Sequence, residues 1–233
     1  MKEQGFKPTL PSTRRRHLLV VSATAVVALL TAVLLLALFQ DRAEAATPSQ
    51  KLNSLTVRAA GSMDGYSRDH FDHWSNAQDY GWTIPTFVLY PGSCDARDAA
   101  LIRDGIGQER TSGYCDVDSG KWVDPYAGGT YTNPSDIDID HMVPLANAWR
   151  SGASSWSDAK RESFANVPSS VLAVDDGQNA SKGDRGPEAW KPPRAAYHCT
   201  YATRWVNVKY SWKLSVTGAE KKALKQMIST CRR

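Results

Sequence analysis

The sequence predicts an α+β domain, and three observations carry that prediction. Residues 136–143 (DIDIDHMV) alternate strictly between acidic and apolar positions, which is the period of a β-strand, and residues 169–175 (SSVLAVD) form a second short apolar run. Further on the period becomes helical. Tyr197, Tyr201, Trp205, Val208 and Trp212 recur every three or four positions. Thr217 and Glu220 then make a capping box ahead of an apolar face through Ala223, Leu224, Met227, Ile228 and Cys231.

The remaining elements follow in chain order. Residues 52–60 read as a short strand or helix inside a linker, 46–65. YSRDHFDHWSNA (66–77) reads as a short helix, and WTIPTFVLYPGS (82–93) as a strand-like run broken by prolines. CDARDAALIRDG (94–105) predicts a helix stopped by Gly105, and residues 114–131 predict a hairpin. Pro144 ends the 136–143 strand, 145–166 reads as helical pieces, and 176–184 as a turn entering a short helix. In GPEAWKPP (186–193), Trp190 is expected to anchor an ordered loop by packing. One domain is expected over 66–233, rich enough in Trp and Tyr to pack a core.

The first 45 residues have the parts of an export signal. Arg14, Arg15 and Arg16 precede 22 uncharged residues, Leu18 to Phe39, and Ala43-Glu44-Ala45 supplies a small-residue cleavage site. As a helix the uncharged run would reach about 33 Å, so an uncleaved membrane anchor is the rival reading. Either way the bulk of the chain leaves the cytoplasm. Four cysteines, Cys94, Cys115, Cys199 and Cys231, agree with that. Three pairings are possible. Cys94–Cys115 and Cys199–Cys231 are favoured because each closes a local loop. No CxxC spacing points to a zinc knuckle.

Charge is unevenly spread. Residues 182–233 hold twelve basic and three acidic groups, whereas 46–181 hold ten and eighteen. A basic section can hold a polyanion and an acidic section a metal, although a solvated basic surface explains the former equally well.

The chemistry concentrates between 136 and 184. A strand, helical insert, strand and helix in that order put Asp140 and His141 at one strand end, and Asn179 near the start of the following helix. Asp and Asn oxygens are hard ligands suited to Mg²⁺, which takes few protein ligands. His141 could serve as general base toward water attacking phosphorus. Asp138 points to the same side as Asp140 and is a supporting acid or an exposed strand residue, while Asp136 reads as solvated. Lys182 and Arg185 could hold phosphate oxygens, and Asp184 reads as a turn cap or a partner of Lys182. His70 and His73, three apart on the predicted helix, read as packing or surface residues. The Tyr197–Trp212 stripe reads as core rather than as a base-stacking platform.

DIDIDHMVPLANAWRSGASSW, FANVPSSVLAVDDGQNASKGD and GPEAWKPP resemble secreted bacterial members of the HNH endonuclease superfamily, related to the nuclease domain of GmrSD-type modification-dependent restriction enzymes. The resemblance spans roughly residues 66–231. It implies a ββα-metal core, with His141 as general base and Asp140 and Asn179 holding one divalent ion, Mg²⁺ first and Mn²⁺ as an alternative. It implies nucleic acid as substrate; DNA is expected ahead of RNA, although the sequence does not decide between them, and the lack of visible base-reading motifs favours low sequence specificity, while no stable protein partner is evident and a membrane enters only if residues 1–45 stay attached. Relatives carry an asparagine in or beside the second strand that braces the histidine loop. Here Asn166 matches their first asparagine and Ser170 stands at the brace position, where a hydroxyl lacks the amide's two-ended grip. Two rival readings remain. One is a catalytically weak nucleic-acid-binding module on the same fold, supported by Ser170. The other is a zinc hydrolase using His70, His73 and His141, which lacks any HExxH spacing.

Overall fold

The computed structural model of the protein describes residues 45–83, 94–107, 109, 110 and 115–231. The chain divides into two compact units at Ala45–Ala46, and every element below belongs to the second. The expected export segment and most of the strand-like run 82–93 lie outside the described residues.

The element order is α1 (Pro48–Ser54), α2 (Ala96–Asp104), β1 (Glu109–Arg110), β2 (Val117–Ser119), β3 (Trp122–Val123), β4 (Thr130–Tyr131), β5 (Ile137–His141), α3 (Leu145–Arg150), α4 (Asp158–Asn166), β6 (Val171–Asp175), α5 (Asp176–Lys182), α6 (His198–Ser211) and α7 (Gly218–Ile228). Among the described residues the strands form three antiparallel pairs: β1 with β2, β3 with β4, and β5 with β6. The molecule is a mixed α+β fold with two disulfides.

The β5–β6 pair contributes to both apolar clusters of this unit. Asp138 faces Val174, Asp140 faces Leu172, and His141 faces Val171. Alternation therefore sends Leu172 and Val174, with the aspartates, toward one apolar cluster. It sends Ile137, Ile139, Val171 and Ala173 toward another, built on α2, Trp82 and Trp122. The acid-apolar alternation does not mark a half-exposed strand, because α5 folds back over the aspartate side. Asp175 caps α5 by accepting from Gln178 N, and Gly183 ends it at φ +53°, a left-handed conformation that a side chain would strain.

Two expectations are corrected here. Residues 46–65 are not a linker. Thr47 and Gln50 make a capping box for α1, Leu52 and Leu55 are buried in the larger core, and Val57 bridges to Val216. Residues 66–77 do not form a helix either. They hold a three-residue 3-10 turn, Arg68–His70, and then an open segment in which Trp74 sits at φ +67°. The reason lies in α4. Asn166, fully buried, accepts from Ser75 N (3.0 Å) and donates to the carbonyls of Asp72 (2.8 Å) and Glu162 (2.9 Å). The backbone groups that a helix would have satisfied internally are satisfied by this amide instead.

The hairpin expected over 114–131 is narrower, joining β3 to β4 only, while β2 pairs with β1. At the C-terminal end, the Thr217–Glu220 capping box opens α7. Glu220, buried, also accepts from Trp205 Nε1 (2.6 Å) and pairs with the buried Lys209 (2.8 Å). Tyr201, Trp205 and Val208 lie in the core, as the stripe predicted. The disulfides join Cys94 to Cys115 and Cys199 to Cys231, with Cα atoms 5.2 and 5.0 Å apart.

Candidate active site

Where β5 ends, a cleft of about 270 Å³ opens, lined by Arg68, Ile139, Asp140, His141, Asn179 and Gly183 among others. Three segments distant in sequence meet here: the open stretch after Arg68, the end of β5, and α5.

His141 is 5% exposed, and its Nε2 lies 2.9 Å from the Ala165 carbonyl oxygen. A carbonyl only accepts, so Nε2 carries the proton and Nδ1 keeps its lone pair. Trp74 stacks on the ring, with centroids 5.9 Å apart at 25°, and His73 meets it edge-on at 6.4 Å. Trp74, the residue at positive φ, thus covers the histidine. For a bulky side chain that conformation is an outlier, of the kind that concentrates at functional sites.

Burial pushes the His141 pKa down to about 3. The Ala165 hydrogen bond works against the shift, and the charges of Arg68, His73 and Lys182 add to it. The ring is neutral at ordinary pH, and stability is linked to that state. The folded value lies below the unfolded value of about 6.5, so the unfolded chain takes up a proton first as pH falls. The contribution is fully present above pH 6.5. It is lost progressively from there toward pH 3, at up to about 1.4 kcal/mol per pH unit. Denaturant titrations at pH 6.5, 5.5 and 4.5 should therefore show a steeper fall for the native chain than for His141→Gln. Parallel curves would contradict the buried neutral ring.

Asp140 is 4% exposed and faces inward. Lys182 Nζ donates to Oδ1 (2.6 Å) and Oδ2 (2.8 Å), and also to the His141 carbonyl (2.8 Å). Tyr126 Oη donates to Oδ2 at 2.5 Å. Burial, then the Asp140 charge, pushes the Tyr126 pKa well above its ordinary value, so the phenol keeps the proton it donates. Burial pushes Lys182 down while Asp140 pulls it back up, which is the balance of a buried ion pair. Asn179 Nδ2 donates to Asp138 Oδ2 (3.1 Å), and among the described residues its own Oδ1 makes no hydrogen bond.

Several expected roles change with these positions. Lys182 is fully buried and committed to Asp140, so it is not on hand for a substrate phosphate. Arg185 donates from Nε to the Lys182 carbonyl (3.2 Å) and lines a separate cleft of about 320 Å³ with Arg58 and Arg150. Asp184 pairs with Arg150 (3.0 Å), not with Lys182. The Ser170 side chain does not brace the histidine: its buried hydroxyl has no partner among the described residues, and its contribution is the carbonyl that accepts from Met142 N (2.8 Å). The bracing amide is Asn166, one residue after the carbonyl that holds His141. His70 stacks on Trp149 (5.5 Å), apart from His73. Trp190 is buried and donates to Ser181 Oγ (3.1 Å) beneath α5. Nothing local in the sequence marks Arg68, Trp74 or Tyr126 as neighbours of the cleft, and His73 stands with His141 only in the zinc-hydrolase reading. They come from loops whose course is set by distant hydrogen bonds.

Hard oxygen donors are present for a divalent cation. Asn179 Oδ1 is uncommitted and Asp138 has one carboxylate oxygen free of hydrogen bonds. Asp140 has accepted three hydrogen bonds, one lone-pair site short of the roughly four a carboxylate offers. Among the described residues no three His, Cys, Asp or Glu side chains form a metal cage. A cation of the Mg²⁺ class, which takes one or two carboxylates and keeps its waters, fits this donor set.

A family model for the C-terminal domain of the GmrSD restriction endonucleases matches residues 105–227. The chain belongs to this family. The matched span contains β5, β6 and α5, with His141, Asp140 and Asn179, whereas Arg68, His73 and Trp74 precede it. This GmrSD C-terminal domain protein is also 48% identical over 189 residues to an uncharacterized secreted protein of Arthroderma benhamiae, covering 80% of this chain and 86% of that one. That relative is fungal, so the bacterial part of the resemblance has no support from it. No solved structure matches. Membership makes the GmrSD C-terminal domain protein nuclease-related. It is a secreted protein, in keeping with its relative and with two disulfides of the kind that persist outside the cytoplasm.

Proposed function

We propose that the protein is a secreted, metal-dependent endonuclease of the HNH type that hydrolyses phosphodiester bonds, of DNA before RNA and with little sequence preference. The observation that carries this is the fixed tautomer of His141 on the wall of the cleft it shares with Asp140 and Asn179. In this reading β5, β6 and α5 are the ββα core.

His141 Nδ1 takes the proton of an attacking water. The Ala165 carbonyl, accepting from Nε2–H, holds the ring in place and stabilises the imidazolium that forms. Burial keeps the ring unprotonated near neutral pH and ready, but it is a weak base in the empty cleft. The negative charge of an incoming phosphodiester favours the imidazolium and raises its basicity where it is needed. Asn179 and Asp140 would hold the cation. Asp138 orients Asn179 by taking its amide N–H, which leaves the amide oxygen for the metal. When bound, a divalent ion there neutralises phosphate charge and stabilises the leaving oxygen. Lys182 holds Asp140 in place through both carboxylate oxygens.

The purified protein should nick and then linearise supercoiled plasmid with Mg²⁺, and stop when EDTA is added. Intact plasmid in the Mg²⁺ lane sinks this reading. A shifted but uncut plasmid would favour the binding module instead.

A further inference from the structure

We propose that Arg68 is the substrate-phosphate ligand of the cleft, gripping non-bridging oxygens of a nucleic-acid phosphodiester, and that His73 is the positioning residue that aims it. This rests on the nuclease reading above.

Arg68 is exposed, lines the cleft with His141 and Asn179, and belongs to none of the five ion pairs among the described residues. Its one hydrogen bond there runs from Nε to His73 Nε2 (3.3 Å). His73 Nδ1 in turn lies 2.9 Å from the Phe71 carbonyl oxygen. A carbonyl only accepts, so Nδ1 carries the proton and Nε2 presents a lone pair to the arginine. Phe71 is fully buried against Trp149 and Phe164, so the relay is tied to the core. The chain carbonyl, imidazole and guanidinium therefore fix one edge of Arg68. The four N–H groups on its two terminal nitrogens are left without partners among the described residues.

A planar fork of free donors matches two oxygens of a phosphate. The other cation beside the cleft, Lys182, is consumed by Asp140. Arg68 thus supplies the positive charge that the sequence suggested would come from Lys182 and Arg185. Asn179 and Asp140 would hold the cation, and Arg68, which reaches the same cleft from a different segment, would take the phosphate.

The test is binding of a fluorescein-labelled DNA duplex to the full-length protein in EDTA, followed by anisotropy over a series of salt concentrations. Arg68→Ala should weaken binding about tenfold or more and lower the slope of log affinity against log salt by about one. Arg68→Lys should keep the slope but lose part of the affinity, because the charge remains and the fork does not. His73→Ala should weaken binding, His73→Gln should restore it through its amide oxygen, and His73→Ala should cost nothing further in the Arg68→Ala background. Unchanged affinity and slope in Arg68→Ala overturns the inference. So does an additive His73→Ala, or a wild-type protein that does not bind the duplex. If the wild type binds through Arg68 yet never cuts plasmid in Mg²⁺, the nuclease reading fails while the phosphate grip stands.

Discussion

Replacing His141 with alanine should lower the rate of plasmid cleavage by at least about 100-fold, the lower end of what a positioned general base contributes. The expectation follows from the ring's surroundings. Its Nε2–H is spent on Ala165, its face is covered by Trp74, and Nδ1 is the nitrogen left to take a proton. Alanine also leaves the Ala165 carbonyl without its donor, so a second variant is needed to separate chemistry from folding. His141→Gln can present an amide N–H to the same carbonyl but has no nitrogen lone pair to accept a proton. It should keep the native fold by circular dichroism and be as inactive as alanine. Cleavage by either variant at the wild-type rate would remove His141 as the base.

The second large effect is on stability. Lys182→Met should cost about 3–5 kcal/mol in denaturant unfolding, the range for leaving one buried charge without its partner. Asp140 would keep only the Tyr126 hydroxyl against a carboxylate that is nearly inaccessible to water. Adding Asp140→Asn to Lys182→Met should recover much of that loss, because no bare charge then stays buried. It should not recover cleavage, since Asp140 is a proposed metal ligand. A loss below about 1 kcal/mol in the single variant would contradict an ionised buried pair. The experiment also separates two roles for Lys182. A phosphate-binding lysine at the surface would alter substrate affinity and salt dependence while leaving the unfolding midpoint alone.

The strands and the final helices were legible for a simple reason: their signals are local. Alternation from Ile137 to His141, the apolar run at Val171 and the Thr217–Glu220 box each depend on neighbours a few residues away. The disulfide pairing was legible for the same reason. The stretch from Arg68 to Ser75 was not, because its conformation is dictated by Asn166, about ninety residues later. Helical propensity lost to a buried amide that satisfied the backbone better. The same distance effect hid the brace. A family pattern drew attention to Ser170, while the side chain with three hydrogen bonds was the asparagine four residues earlier. Lys182 was misplaced for another reason. A lysine beside a polar turn reads as solvated, and nothing local says that Asp140, 42 residues away, waits beneath it.

The larger core is closed by both ends of the domain. Leu52 and Leu55 of the first segment share it with Leu224 and Met227 of the last helix, and Val57 bridges directly to Val216. Such long-range contacts are slow to form, because loop-closure entropy must be overcome before they do. A chain still being made or exported, with α7 not yet through, has β5, His141 and Asn179 but no closed core beneath them. Removing either segment would therefore leave the apolar face of the other uncovered, however far that segment lies from the cleft in sequence.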